Sequence, residues 1–205
     1  MSPVGRPHAD PDPDAPWLVF GLGNPGPAYA GHRHSVGHMV VQELVARRGG
    51  SLRPFKRGGA DVLEGWTTPG RRRGVLATGR SYMNVSGGPL LNLARFFKVD
   101  PSRLVVVHDE LDIPFEAVRV KHGGGDNGHN GLKSIRGSLG TGDYFRVRVG
   151  VGRPPGRQPV ADFVLSDYAP SERVARDVQV ARAADAVEVL IDEGLEAAQQ
   201  RFHGD

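Results

Sequence analysis

Two stretches of this chain are apolar at consecutive positions and then stop at residues that carry chemistry. The first, "WLVF" (17–20), runs into "GLGNPG"; the second, "LVVV" (104–107), runs into "HDELD". A strand without polar alternation has both faces covered, so these runs read as buried strands of a sheet with helices on either side. The other segments agree. "SVGHMVVQELVARRGG" sets Val36, Met39, Val40 and Leu44 on one face and ends in glycines, as an amphipathic helix does. "ADVLEGW" and "RRGVLATG" read as strands around the turn "TTPGR". "SGGPLLNLARFFKV" reads as a helix capped by Ser86, with Leu90, Leu93, Phe96 and Phe97 buried. "AVRVKHGGG" and "YFRVRVGVG" alternate like strands around a short helix, "HNGLKSIRGSLG", that ends at Gly140. "VGRPPGRQPV" reads as a surface loop, "PSERVARDVQVARAADAVEVLIDEG" as a long amphipathic helix and "LEAAQQRFH" as a last short one.

Strands alternating with helices predict one α/β domain, a central mixed twisted sheet with helices on both faces, over 17–205. Before it, residues 1–16, "MSPVGRPHADPDPDAP", read as a disordered Pro- and Asp-rich tail with no apolar core, not a secretory signal. The 205 residues contain no cysteine, which excludes a disulfide scaffold, a thiol nucleophile and a thiolate metal site. No apolar run reaches the roughly 18 residues that cross a bilayer. The formal net charge is +3, and much of the excess is arginine at 71–73 and across 146–157, with Lys121, Lys133 and Arg136 nearby. A local basic excess can attract a polyanion, but charge alone reads as a solvated surface.

Three chemistries compete for "VFGLGNPGPAYAGHRHSVG" (19–37). Gly21, Gly23 and Gly26 have G-x-G-x-x-G spacing. However, Pro25 removes a donor from the loop, and the helix begins only near Ser35, nine residues past Gly26. That argues against a dinucleotide site. His32, His34 and His38, with Asp109, Glu110 and Asp112, could supply metal ligands, but the H-E-x-x-H pattern is missing. The third reading is acid–base hydrolysis. A His at a strand-to-helix junction and an Asp at a strand end can meet over the sheet's carboxyl edge. There the Asp fixes the ring tautomer while the His accepts a proton from water. Asn24, Asn84, Asn127 and Asn130 add neutral donors and acceptors suited to peptide groups or an oxyanion, although each also fits as a turn or cap residue.

Five stretches in order resemble the bacterial peptidyl-tRNA hydrolase family: "GLGNPGPAYAGHRHSVG", "YMNVSG" (82–87), "VVVHDELDIP" (105–114), "KHGGGDNGHNGLKSI" (121–135) and "FRVRVGVGRP" (145–154). The resemblance implies a monomeric cytoplasmic enzyme of phosphorylase/hydrolase-like α/β fold. It would use no metal or cofactor and have no membrane association. Its reaction would hydrolyse the ester between a peptide and the terminal ribose of tRNA, recycling tRNA after aborted translation. The tRNA would be met at its acceptor stem and CCA end. It further implies that His34 is the catalytic base, Asp109 its orienting partner, and Asn24 a group that helps place substrate or oxyanion. Asn84 and Asn130 would hold the peptide and the reacting ester, Tyr29 and Met83 would line the site, and Lys121 and Arg148 would meet the tRNA's terminal 5′ phosphate. C-terminal helices would flank the cleft as a movable lid.

Two positions depart from the family pattern. Ser35 stands where the family has Asn after the catalytic His, and serine can still cap the helix. Asn127 replaces a glycine of the Gly-rich loop, with Asp126 beside it. Asn is the best-tolerated substitute if that position needs positive φ. Two other readings stay open. One is a non-catalytic RNA-binding relative, since a chloroplast splicing factor is similar to this family. The other is a nucleotide or small-ester hydrolase, which leaves Lys121, Arg148 and the "HNG" loop unexplained.

Overall fold

The computed structural model describes residues 15–204, so nearly all of the expected N-terminal tail lies outside the described residues. Seven strands form one sheet: β1 (Trp17–Gly21), β2 (Arg53–Phe55), β3 (Ala60–Thr67), β4 (Arg73–Gly79), β5 (Leu104–Glu110), β6 (Val118–His122) and β7 (Phe145–Gly150). Their order is β2-β3-β4-β1-β5-β7-β6. The central strands β4, β1, β5 and β7 are parallel, and β2, β3 and β6 run antiparallel to their neighbours, so the sheet is mixed as expected.

The helices are α1 (Val36–Ala46), α2 (Gly87–Phe96), α3 (Asn130–Leu139), α4 (Val160–Val164), α5 (Arg173–Glu193) and α6 (Leu195–Phe202). They cover both faces, and the two-residue period of the strands divides the core between them. Val19, Leu76, Val105 and Val107 pack with Val40 and Leu44 of α1 and Val187 and Leu190 of α5. Leu18, Phe20, Val75 and Val106 pack with Leu90 and Leu93 of α2 and Leu132 and Ile135 of α3. Each such fully buried aliphatic stabilises the fold by about 1.5–3 kcal/mol relative to exposure.

The geometry at the carboxyl end of β1 depends on glycine. A Cβ on Gly37 would lie 2.3 Å from the Val107 carbonyl oxygen and 2.5 Å from Leu22 N. Without one, the first turn of α1 sits directly on the crossing of β1 and β5. Leu22 N donates to Val107 O, and His38 N donates to Leu22 O. Close approach also requires Gly21 and Gly23, whose Cβ atoms would lie 2.2 Å from Gly37 O and 2.6 Å from the His38 ring.

Several expectations are corrected. The edge strand β2 was given no reading in the sequence; it is three residues long with a proline at its centre, too short to show alternation. Residues 151–159 are the expected loop, but α4 follows at once. Phe97 is half-buried and Phe96 is 48% exposed, because the sheet edge leaves the end of α2 uncovered. Neither serine caps its helix through its side chain. The Ser86 hydroxyl donates back to Met83 O, and Ser35 Oγ accepts from Asn24 N at 3.2 Å.

Candidate active site

The loop after β1, the end of β5 and the start of α3 converge at the carboxyl edge of the parallel strands. A 3-10 turn, Arg33–Ser35, places His34 between β1 and α1. Asp109, next to last in β5, is buried at 3% exposure. His34 Nδ1 lies 2.9 and 3.0 Å from the two carboxylate oxygens of Asp109. His129 Nε2 lies 2.9 Å from Oδ1 of the same carboxylate. The protons follow from the remaining partners. His129 caps α3 by accepting Gly131 N and Leu132 N at Nδ1, so its hydrogen is on Nε2, donated to Asp109. His34 donates through Nδ1, which leaves Nε2 as its basic nitrogen. Beneath them, buried His108 donates through Nδ1 to the Asp109 carbonyl, its Nε2 has no partner among the described residues, and burial holds its pKa well below the ordinary range.

The electrostatics follow from this arrangement. Burial alone would lower the pKa of His34, but the charge and hydrogen bond of Asp109 outweigh it and leave the pKa raised above 6.5. Burial alone would raise Asp109; the imidazoles of His129 and His34 hold its carboxyl far below the usual carboxylate range. The pair therefore combines an ionised orienting group with a base whose proton affinity that group raises.

Asn24 is buried, and its Oδ1 accepts Met83 N at 2.8 Å. Only its Nδ2 amide remains to face a ligand, so Asn24 can offer donors there but no acceptor. Met83 is buried behind this contact as a wall, not as an open surface. Asn84 and Asn130 are exposed, and their side-chain amides have no protein partner among the described residues. Tyr29 is half-buried, edge-on to His32 at 5.3 Å and to Tyr82 at 6.0 Å. A cavity of about 490 Å³ opens over His34 and Asp109, bounded by Asn127, His129 and Asn130 on one side and by Val160, Val164 and Leu165 at α4 on the other.

The histidines grouped as possible metal ligands do not converge. His32 faces Asp167 at 3.8 Å, and His38 packs on Gly23. The donor atoms that do gather are those of His34, Asp109 and His129, within 4.8 Å of one another, and the contacts among them are hydrogen bonds. Lys121 and Arg148 stand on adjacent strands beside the site. Arg148 is committed, with Nε and Nη2 each 3.1 Å from Glu110 Oε2. Lys121 is half-buried, and its pKa is lowered by burial and then by the charges of Arg148 and Arg146. Asn127 adopts φ of +49°, the left-handed conformation anticipated for a position where the family has glycine.

Sequence reasoning gave no role to His129, Arg33 or Arg146. His129 stood in the "HNG" stretch, and its signal was an imidazole immediately before a helix start. Arg33 gave none. It is buried beside His34, donates to Ser166 Oγ at 3.0 Å, Asp167 O at 2.7 Å and Glu172 Oε2 at 2.6 Å, and lies over the rings of Phe163 and Tyr168. It therefore ties the segment after α4 to the His34 turn. The long helix α5 is anchored in the core by Val180, Ala183, Val187 and Leu190, so the wall over His34 is α4, not α5. Arg146 is fully buried and donates to the carbonyls of Gly124 and Gly125, bracing the Gly-rich loop.

The family model described as Peptidyl-tRNA hydrolase matches residues 18–205. The chain belongs to the peptidyl-tRNA hydrolase family. It is 59% identical over 193 residues to the peptidyl-tRNA hydrolase of Frankia casuarinae, covering 94% of this chain and 96% of that one. Against the peptidyl-tRNA hydrolase of Streptomyces coelicolor it is 56% identical over 195 residues, covering 94% and 97%. The crystal structure of peptidyl-tRNA hydrolase from Acinetobacter baumannii superposes with a TM-score of 0.85 at 28% identity, covering 95% of this chain and 98% of that one. The seven-stranded mixed sheet is thus the architecture of solved peptidyl-tRNA hydrolases, and membership makes the chain a carboxylic ester hydrolase of translation.

Proposed function

We propose that this chain hydrolyses peptidyl-tRNA by direct attack of water, with His34 as general base. The observation that carries the reading is the Nδ1 contact of His34 with the buried Asp109 carboxylate, which leaves Nε2 as the free base over the cavity. A water hydrogen-bonded to Nε2 gives up its proton there as its oxygen bonds to the ester carbonyl carbon. The amide of Asn24, with Asn84 and Asn130, donates to the carbonyl oxygen as it becomes an oxyanion. When the tetrahedral intermediate collapses, the bond to the ribose oxygen breaks and the imidazolium returns its proton to that oxygen. Free tRNA and a peptide acid leave. Asp109 holds the tautomer throughout and stabilises the imidazolium.

Asn84 and Asn130, without protein partners among the described residues, hold the peptide's amides, with Tyr29 and Met83 as walls. The acceptor stem and CCA end lie toward β7 and β6, where Lys121 and Arg148 take the terminal 5′ phosphate. A phosphate there relieves the repulsion that lowers Lys121 and positions tRNA without reading its sequence. The enzyme acts as a monomer in the cytoplasm; no helix among the described residues is long and apolar enough to cross a membrane.

The test is release of tRNA from N-acetyl-aminoacyl-tRNA by wild type and His34→Ala, each with and without chelator. Chelator-resistant release that disappears in the variant is expected. Chelator-sensitive release would reassign the His34–Asp109–His129 cluster to a metal. Binding of tRNA without hydrolysis would favour the RNA-binding relative.

A further inference from the structure

The far edge of the sheet carries a feature that ester hydrolysis does not use. A groove of about 630 Å³ runs along β2 and the end of α2, lined by Arg53, Phe55, Lys56, Arg57, Glu64 and Phe96 among others. Phe55 and Phe96 line it, and Phe97 packs against both rings from the core side. Phe55 and Phe96 meet at 5.0 Å, Phe96 and Phe97 at 4.9 Å, and Phe55 and Phe97 at 5.7 Å. Phe96 is 48% exposed and stands edge-on to Phe55 on that face. The Arg57 guanidinium stands 5.8 Å from the centre of its ring. Arg53, Lys56 and Arg57 are exposed, and none is ion-paired among the described residues. Glu64 is the one acid among the residues that line the groove.

We propose that this groove binds single-stranded RNA, separately from the tRNA acceptor end at the catalytic cleft. Unpaired cations around a half-exposed aromatic platform are what a flexible polynucleotide needs: a flat ring for a base, and guanidinium or ammonium groups for the phosphates on either side. Strand addition is disfavoured because β2 is short and carries Pro54. An acidic peptide would use the charges and leave the exposed ring without a purpose. The end of the groove is placed by the strand pairing. Phe55 pairs with Ala60, and Ala60 with Gly79, so the loop after β2 stands at the carboxyl end of the parallel strands, three strand spacings or roughly 14 Å from β1. Arg80 N donates to Gly59 O, joining that loop to the segment that leads to Asn84.

The experiment is fluorescence anisotropy of a 5′-labelled decauridylate with the full chain across a salt series, for wild type, Phe96→Ala, Phe96→Tyr and Arg57→Gln. Phe96→Ala is expected to weaken binding on the order of tenfold. Phe96→Tyr should bind like wild type, and Arg57→Gln should reduce the salt slope by about 0.7. All three should hydrolyse N-acetyl-aminoacyl-tRNA at the wild-type rate. Equal affinities for wild type, Phe96→Ala and Arg57→Gln would overturn the proposal. So would loss of decauridylate binding in Lys121→Ala alone, which would place the strand in the tRNA subsite. Competition by an oligoglutamate of equal length as effective as unlabelled decauridylate would also overturn it, by reducing the groove to a charge patch. These outcomes are read from binding, so they stand whether or not His34 is the base.

Discussion

Replacing Asp109 with Asn tests the arrangement at its most connected atom. The carboxylate receives His34 Nδ1 on both oxygens, at 2.9 and 3.0 Å, and His129 Nε2 on Oδ1 at 2.9 Å. An amide has one oxygen. Placed where Oδ1 is, it can still accept from both rings, but its NH2 then faces His34 Nδ1 at the 3.0 Å position. The local solution is for His34 to move its hydrogen to Nε2 and accept the amide at Nδ1. That removes the free base nitrogen. Loss of the working tautomer in a His–Asp pair costs on the order of 10³–10⁴ in kcat, which is about 4–5.5 kcal/mol of barrier. The pH profile must move as well. In wild type, Asp109 raises His34 above 6.5, so activity is lost as pH falls through that raised value. In Asp109→Asn only burial acts on His34, its pKa drops, and the acid limb of kcat/KM shifts to lower pH. The assay is tRNA release from N-acetyl-aminoacyl-tRNA across about pH 5.5 to 9, the span over which a histidine titrates, with thermal unfolding as a control for folding. More than a tenth of wild-type kcat, or an acid limb that stays in place, would refute the reasoning.

Other outcomes follow from single contacts. His129→Ala removes both the side-chain cap of α3 and a hydrogen bond to Asp109, so unfolding should ease by about 1 kcal/mol or more with kcat falling as well; an unchanged Tm would remove the capping role. Asn127→Gly removes a side chain that narrows the cavity over His34 and suits the positive φ there, so KM should fall, and no change in KM would remove the point. Arg148→Ala leaves buried Glu110 without its partner, so KM should rise with little change in kcat and stability should fall by about 1–3 kcal/mol; a kcat effect alone would contradict this. Gly37→Ala would push a methyl into the Val107 carbonyl and should cost more than about 3 kcal/mol, which denaturant titration measures.

Local pattern carried the fold class. Strands apolar at every position, Leu18–Phe20 and Leu104–Val107, are covered on both faces in the structure, and the two-residue period assigns their side chains to separate cores. The positive φ of Asn127 and the stop of α3 at Gly140 were likewise legible, because left-handed backbone selects residue types one position at a time. The short strand β2, the half-turns of α4 and the exposure of Phe96 were not, since elements of three to five residues hold too few positions for a period to show.

The candidate site divides in the same way. The sequence by itself determined that a histidine stands at a strand-to-helix junction and an aspartate at a strand end, and that such residues meet at the carboxyl edge of a parallel sheet. Only the tertiary structure decided that one carboxylate is shared by two imidazoles, 75 and 20 residues away along the chain. It alone placed Arg148 on Glu110, clamped Arg33 on the segment after α4, and left Arg53, Lys56 and Arg57 without an ion pair among the described residues around Phe96. The reason is physical. Backbone preferences act over a few neighbouring residues, while a side chain's partner depends on strand order, register and which face of the sheet it leaves from, and these are fixed only when the whole core packs.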